Sequence, residues 1–244
     1  MRAALFDLDQ TLLPYDTQAL FCNFVLRREG WRRLYPLVFG PALPLKALHL
    51  IDTRVLKRMF LSYLWKLPAS RVMSMADEFA ESVVPPLLYP AIVAEVERHR
   101  EEGRTLILTS ASPDIYVGPI ARQLGFDHWF GTPVVLKEGG MPLVPQIAGA
   151  NNKGVAKLHR MKELFGSGQS LPLPGCYAYS DSKADLPMLR WVEYAVTVNP
   201  DPLLEGIATD EGWPILRPPR PQASRMAFGW DCAMQSLGLW RARP

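Results

Sequence analysis

Between Tyr89 and Val198 short apolar runs alternate with segments of helical length. That alternation restricts the fold more than any other property of this 244-residue chain. YPAIVAEVERHREEG reads as a helix ending at Gly103, and RTLILTS as an apolar strand ending in hydroxyls. SPDIYVGPIARQLG reads as a helix with Pro113 in its first turn and Pro119 in its interior. PVVLKEGGMPLVP has the pattern of two short strands around Gly139-Gly140. NKGVAKLHRMKELFG, GCYAYSDS, KADLPMLRWV and YAVTV then follow as helix, strand, helix and strand. Strands separated by crossovers of this length form a parallel sheet wrapped by helices. A first strand, AALFDLD, opens the chain and is closed by Pro14.

Between that strand and the alternating part lies a block with no strand-like alternation. Asp16 caps DTQALFCNFVLRREG, Asp52 caps DTRVLKRMFLSYLWKL, and SRVMSMADEFAESVV runs from Ser70 to the stop at Pro85-Pro86. The expected fold class is therefore α/β, a Rossmann-like parallel sheet with an inserted all-helical cap. Residues 1–13 and 85–220 would form the core, and 14–84 the cap. A Pro-rich linker, PILRPPRPQAS, leads to a tail over 221–244 that holds Trp230 and Trp240 and packs on the core or at a surface.

Charge is uneven along the chain. Residues 27–66 carry nine basic and two acidic side chains, an excess of +7, which leaves −4 elsewhere for a total of +3. The small total gives no reason to expect nucleic acid, whereas a basic segment on an acidic body suits an anionic substrate or surface. Cys22, Cys176 and Cys232 are widely spaced and form no CxxC, so thiols in a reducing compartment are expected, with no disulfide framework or zinc site. The chain enters RAALFDLD without a signal-peptide pattern, and the apolar LYPLVFGPALPL is short and broken by Pro36, Gly40, Pro41 and Pro44. The expected location is cytoplasmic or peripheral at the inner membrane surface.

In a parallel α/β sheet, ligands gather at the carboxyl ends of the strands. There the sequence places Asp7, Asp9 and Thr11; Thr109, Ser110 and Ser112; and Ser180, Asp181 and Ser182, with Asp185 a turn further on. Lys153 lies near the start of a helix between the last two groups. Taken singly, each has an ordinary reading. Acids after strands are turn or cap residues, Thr109 to Ser112 can cap the next helix, and an isolated lysine is usually solvated. The i,i+2 pair Asp7 and Asp9 is harder to dismiss, because both carboxylates fall on one side of an extended chain and need a cation or proton between them. Coincidence at four loops favours chemistry.

These loops resemble the four motifs of the haloacid-dehalogenase-like (HAD) superfamily of phosphohydrolases. FDLDQT matches DxDx[TS], LILTSASP the strand ending in Thr or Ser, NNKG the lysine at a helix start, and YSDSKADLPML the acid pair four apart. The helical insert after the first strand is similar to the phosphoserine-phosphatase-like branch, subfamily IB with its C1-type cap. Ser180 and Ser182 depart from the glycines often found beside the fourth motif.

The resemblance implies a phosphoric monoester hydrolase in which Asp7 attacks phosphorus and forms an aspartyl-phosphate. Mg²⁺ would be held by Asp7, the main-chain carbonyl of Asp9 and Asp181, with Asp185 in support. Asp9 would protonate the leaving group and then take a proton from water. Ser110 and Lys153, with Thr11, would bind the phosphoryl oxygens, and Thr109 would take Ser110's role in an alternative register.

Substrate choice then falls to the cap, where Trp31, Tyr35, Phe39, Phe60, Tyr63 and Trp65 accompany the basic cluster. The ordinary reading makes these aromatics the cap's own core and the charges its solvated face. The sharper reading lays RREGWRRLYPLVFGPALPL on a bilayer surface. The expected substrate is a small phosphorylated metabolite, phosphoserine- or histidinol-phosphate-like; the alternative is a lipid phosphate, phosphatidylglycerophosphatase-like. A phospho-signalling receiver or a non-catalytic binding relative is the remaining alternative. Receivers, however, carry their acid pair adjacent and lack such an insert. Oligomeric state is not indicated.

Overall fold

The computed structural model describes residues 2–166 and 171–241. Its sheet has six strands, all parallel, in the order β3-β2-β1-β4-β5-β6. The strands are β1 (Ala3–Phe6), β2 (Thr105–Pro113), β3 (His128–Thr132), β4 (Leu173–Ser180), β5 (Val192–Val198) and β6 (Ile215–Leu216). Between β1 and β2 run α1 (Thr17–Arg28), the short α2 (Pro36–Phe39) and α3 (Ala42–Ala47), α4 (Thr53–Phe60), α5 (Ala69–Ser82) and α6 (Pro90–Glu101). The later helices are α7 (Asp114–Gln123), α8 (Val155–Phe165), α9 (Leu186–Leu189), α10 (Pro202–Asp210) and α11 (Arg225–Ser236).

The central strands are apolar on both faces, as a covered parallel sheet requires. Side-chain alternation splits them into two cores. Ala4, Phe6, Leu106 and Leu108 join the larger core with α1, α5, α6 and α7. Ala3, Leu5, Ile107 and Ala178 join the smaller one with Met161 of α8 and Leu189 of α9. Phe6 stacks on Tyr179 with ring centroids 4.4 Å apart, tying β1 to β4 directly below the site. The larger core continues without a break through Leu20, Phe21, Tyr63 and Phe79 of the helical insert. The cap aromatics do form a core, since Tyr35, Phe60 and Tyr63 are buried and meet edge to face. Its charges are only partly solvated. Arg54 and, one turn along the same face of α4, Lys57 and Arg58 donate to the carbonyls of Ile147, Ala111 and Pro145 at 2.7, 2.6 and 2.8 Å.

One local expectation is corrected. PVVLKEGGMPLVP makes no strand pair but a loop with one antiparallel bridge, Val134 to Ile147. Pro133, Pro142 and Pro145 have no N–H to extend a ladder. The loop serves the cap instead: Met141 N–H donates to Leu67 O, and Lys66 N–H to Met141 O, each at 2.8 Å. The strand in this region is β3, an edge strand, and α7 continues through Pro119.

The tail packs against α1. Tyr35 Oη donates to Ser236 O at 2.7 Å, and Trp240 meets Tyr15 edge to face at 5.2 Å. Trp230 is exposed. None of the three cysteines is in a disulfide.

Candidate active site

Strand order explains where the site lies. The chain leaves β1 for β2 on one side and reaches β4 on the other, so a crevice opens above β1 where the connections diverge. The ends of β1, β2 and β4 meet there, and α4 and α2 roof it. A cavity of about 440 Å³ results, with Asp7, Asp9, Asp181 and Asp185 on its core side and Phe39, Leu56 and Phe60 on its cap side.

Asp7 is buried, and its N–H is fixed by Tyr179 O at 3.0 Å. Lys157, itself buried, donates from Nζ to Asp7 Oδ1 and to Asp185 Oδ2, both at 2.7 Å. Ser180 Oγ adds a bond to Asp185 Oδ2 at 2.8 Å. Burial opposes the Lys157 charge, but Asp185 and Asp7 outweigh it and hold the ammonium above its ordinary range. Burial pushes Asp7 up to about 7; Lys157 opposes the rise, and Asp185 and Asp9 add to it. Asp181 is driven well above the usual carboxylate range by burial and then by Asp7 and Asp185, and Thr11 Oγ1 donates to it at 3.5 Å.

One lysine thus faces three carboxylates. Among the described residues no three His, Cys, Asp or Glu side chains converge on a single point. Asp7 and Asp181 nevertheless share the cavity with charge left uncompensated, and every donor there is oxygen. A hard divalent cation such as Mg²⁺ fits that set, since it takes one or two carboxylates and fills its other positions from elsewhere.

Asp9 is held differently. Thr17 N–H and Thr17 Oγ1 both donate to its Oδ1 at 2.6 Å, while Ser110 Oγ and Ser112 Oγ donate to Oδ2 at 3.0 and 2.6 Å. Thr17 opens α1 behind its capping Asp16, which takes the N–H groups of Gln18 and Ala19, so the N–H of the helix's first residue is left for Asp9. Period-two alternation puts Ser110 and Ser112 on this side of β2. Thr109 faces away, accepting from Asn152 Nδ2 at 3.2 Å.

The structure therefore brings Asp7, Asp9, Thr11, Ser110, Asp181 and Asp185 together and leaves Thr109 outside. Lys153 lines the cavity, but its ammonium bonds none of these carboxylates. The lysine that does is Lys157, one turn later. Gly154, with φ at +59°, delays the helix, so α8 begins at Val155 and turns Lys157 inward above Met161. The i,i+4 relation of Lys157 to a core methionine was the signal available in the sequence. Thr17 and Ser112 carried none.

The cap contributes one cation. Lys57 Nζ reaches Ala111 O at 2.6 Å and Asn151 Oδ1 at 2.7 Å, and burial lowers it to about 8 against the pull of Asp9 and Asp16. Asp16, raised by burial and by Asp9 to about 6, lines the same wall.

Known proteins share the family and fold of this chain. The family model for haloacid dehalogenase-like hydrolases matches residues 4–190. A probable phosphatase of Mycobacterium tuberculosis is 33% identical over 237 residues, covering 91% of this chain and 77% of its own. A Bordetella pertussis protein of unknown function superposes with a TM-score of 0.72 at 28% identity, over 88% of this chain and 97% of that one. A phospho-aspartyl intermediate analogue of phosphoserine phosphatase shares the fold, with a TM-score of 0.55 at 18% identity over 90% and 94% of the two chains. The chain belongs to the haloacid dehalogenase-like hydrolases and has the fold of their phosphoserine-phosphatase-like branch.

Proposed function

We propose that this hydrolase is a Mg²⁺-dependent phosphomonoesterase that works through an aspartyl-phosphate on Asp7. The observation that carries the reading is the Lys157 clamp. It takes one Asp7 oxygen and fixes the carboxylate at the cavity wall, and among the described residues no hydrogen bond engages the other oxygen. That oxygen attacks phosphorus as the ester oxygen departs. A magnesium ion held by Asp7, Asp181 and the main-chain carbonyl of Asp9 would screen the meeting of two anions. Lys157 keeps Asp7 oriented and offsets charge building on the phosphoryl group.

Asp9 supplies the proton to the leaving alkoxide and later takes one from the water that hydrolyses the acyl-phosphate. Its four donors saturate both oxygens, so a proton can reside there only when one donor turns away. Ser110 and Ser112 are free to rotate about Cβ–Oγ, and a phosphoryl oxygen is the acceptor they would turn to. This supports Ser110 as a phosphate ligand, with Ser112 beside it. Lys153 at the cavity wall adds positive charge.

The cavity supports a small substrate. Asp16 and Lys57 can pair with an ammonium and an anionic group, and Phe39 and Phe60 with a short apolar portion, as phosphoserine- or histidinol-phosphate-like esters require. A second reading, a phosphate carried on lipid, is favoured by the exposed apolar side chains of the cap. A panel of phosphomonoesters assayed with Mg²⁺ and with chelator tests both readings. Asp7→Asn should abolish turnover of every substrate while leaving the circular dichroism unchanged, and retained turnover would remove Asp7 from the role.

A further inference from the structure

The cap has a surface that neither the cavity nor the core uses. Seven large apolar side chains between Trp31 and Leu50 are exposed, including Trp31 at 54%, Leu37 at 75% and Leu48 at 68%. Single exposed leucines are ordinary, but seven in twenty consecutive residues form a patch. They follow one another along the 3-10 turn Gly30–Leu34, α2, α3 and the turn after α3, with the three elements packed in succession. The tail extends the patch. Arg33 Nη2 donates to Gly238 O at 3.2 Å, and the exposed Leu237 and Leu239 flank that glycine. A hollow of about 180 Å³ between Trp31, Leu34, Leu37, Val38, Trp65 and Leu143 indents the face.

The rim is cationic. Residues 30–51 contain no acid. Arg27 and Arg33 are exposed and give their hydrogen bonds to main-chain carbonyls, Trp240 O and Gly238 O, and among the described residues neither pairs with an acid. Lys46 lies on α3 among the exposed leucines. A second copy of the chain docked by a two-fold axis would set Arg27, Arg33 and Lys46 near their own images. An anionic, apolar partner matches all of these features at once.

We propose that this face seats the protein on an anionic phospholipid bilayer. The leucines enter the acyl boundary, Trp31 sits at headgroup level, and the rim arginines meet lipid phosphates. Among the described residues no helix is long and apolar enough to cross a membrane, so the contact is superficial. α2 then forms the wall between bilayer and cavity, with Leu37 exposed and Phe39 two residues on lining the site. None of the catalytic assignments is needed for this.

The test is co-sedimentation of the full chain with phosphatidylcholine vesicles, with and without phosphatidylglycerol, at low and high salt. Two variants accompany it: Leu34→Ser with Leu37→Ser and Leu48→Ser, and Arg27→Gln with Arg33→Gln. The wild type should pellet with the anionic vesicles and bind at least about tenfold less without phosphatidylglycerol or at high salt. Both variants should lose a comparable factor while keeping the wild-type circular dichroism and p-nitrophenyl phosphate hydrolysis. Circular dichroism alone certifies folding should the wild type lack that hydrolysis. Wild type left in the supernatant, or variants that bind equally, would overturn the proposal. So would a concentration-dependent dimer that the serine variant abolishes, since the occupant would then be a second copy.

Discussion

Replacing Lys157 with methionine removes the cation that touches the proposed nucleophile, Asp7, while keeping most of the length of the side chain. At 2.7 Å each of its two contacts is worth about 6 kcal/mol of attraction at an effective dielectric of ~20. Desolvation of the ammonium cancels much of that. Breaking a buried pair typically leaves a deficit of about 3–5 kcal/mol, because the partner carboxylates stay behind uncompensated. Asp7, which burial already raises to about 7, can instead take up a proton, so the deficit must shrink as pH falls. Urea unfolding of K157M should therefore show a loss of about 3–5 kcal/mol near about pH 8 and visibly less near about pH 5. Turnover, which also loses electrostatic stabilisation of the phosphoryl group, should fall by about 10²–10³. K153M, which breaks no contact with the carboxylates, should stay within about tenfold of wild type. Phosphatase assays on both variants decide the matter. K157M within tenfold of wild type, or a larger loss in K153M, would show that Lys157 does not steady Asp7 and would return the role to the lysine at the helix start.

Two further outcomes follow from the same structure. His99 is buried, with Arg104 Nη1 at 3.4 Å from Nδ1 and Tyr179 Oη at 2.8 Å from Nε2; burial and then Arg98 and Arg104 lower it from 6.5 to about 4. The unfolded chain then binds the extra proton first, so this group removes stability as pH falls from about 6.5 to about 4. The advantage of wild type over His99→Gln should narrow across that window by up to about 3 kcal/mol in denaturant titrations, and an unchanged difference would contradict it. Added Mg²⁺ should raise the Tm of wild type and not of Asp181→Asn, because a ligand stabilises only the state that binds it. An equal rise in both would remove Asp181 from the metal site.

The carboxylates were legible because strand ends in a parallel sheet are few: Asp7 directly follows an apolar run, Asp9 comes two residues later, and Asp181 is separated from its own run only by Ser180. Ser110 could be separated from Thr109 only through the family pattern; in the structure simple alternation along β2 does so. Lys157 escaped notice because Gly154 shifts the helix start by two residues, and a phase error of that size exchanges the inward lysine for Lys153. Thr17 escaped because its donors reach Asp9 through a chain reversal at Gln10, whose φ of +60° is a local matter no periodicity reports. The closure of α4 onto the core was invisible for another reason. Arg54, Lys57 and Arg58 bind main-chain carbonyls, and those leave no mark on composition. Edge strand β3, HWFGT, is only partly buried and so lacks the apolar run that revealed its neighbours.

The proposed mechanism requires Asp7 to carry the phosphoryl group during turnover. Wild-type protein mixed with a reactive phosphomonoester and Mg²⁺, quenched in acid before a full turnover and digested, should yield the peptide around FDLDQT phosphorylated on Asp7 and labile to hydroxylamine. A phosphoryl group on another residue, or an unmodified peptide under conditions where product forms in a burst, would contradict it.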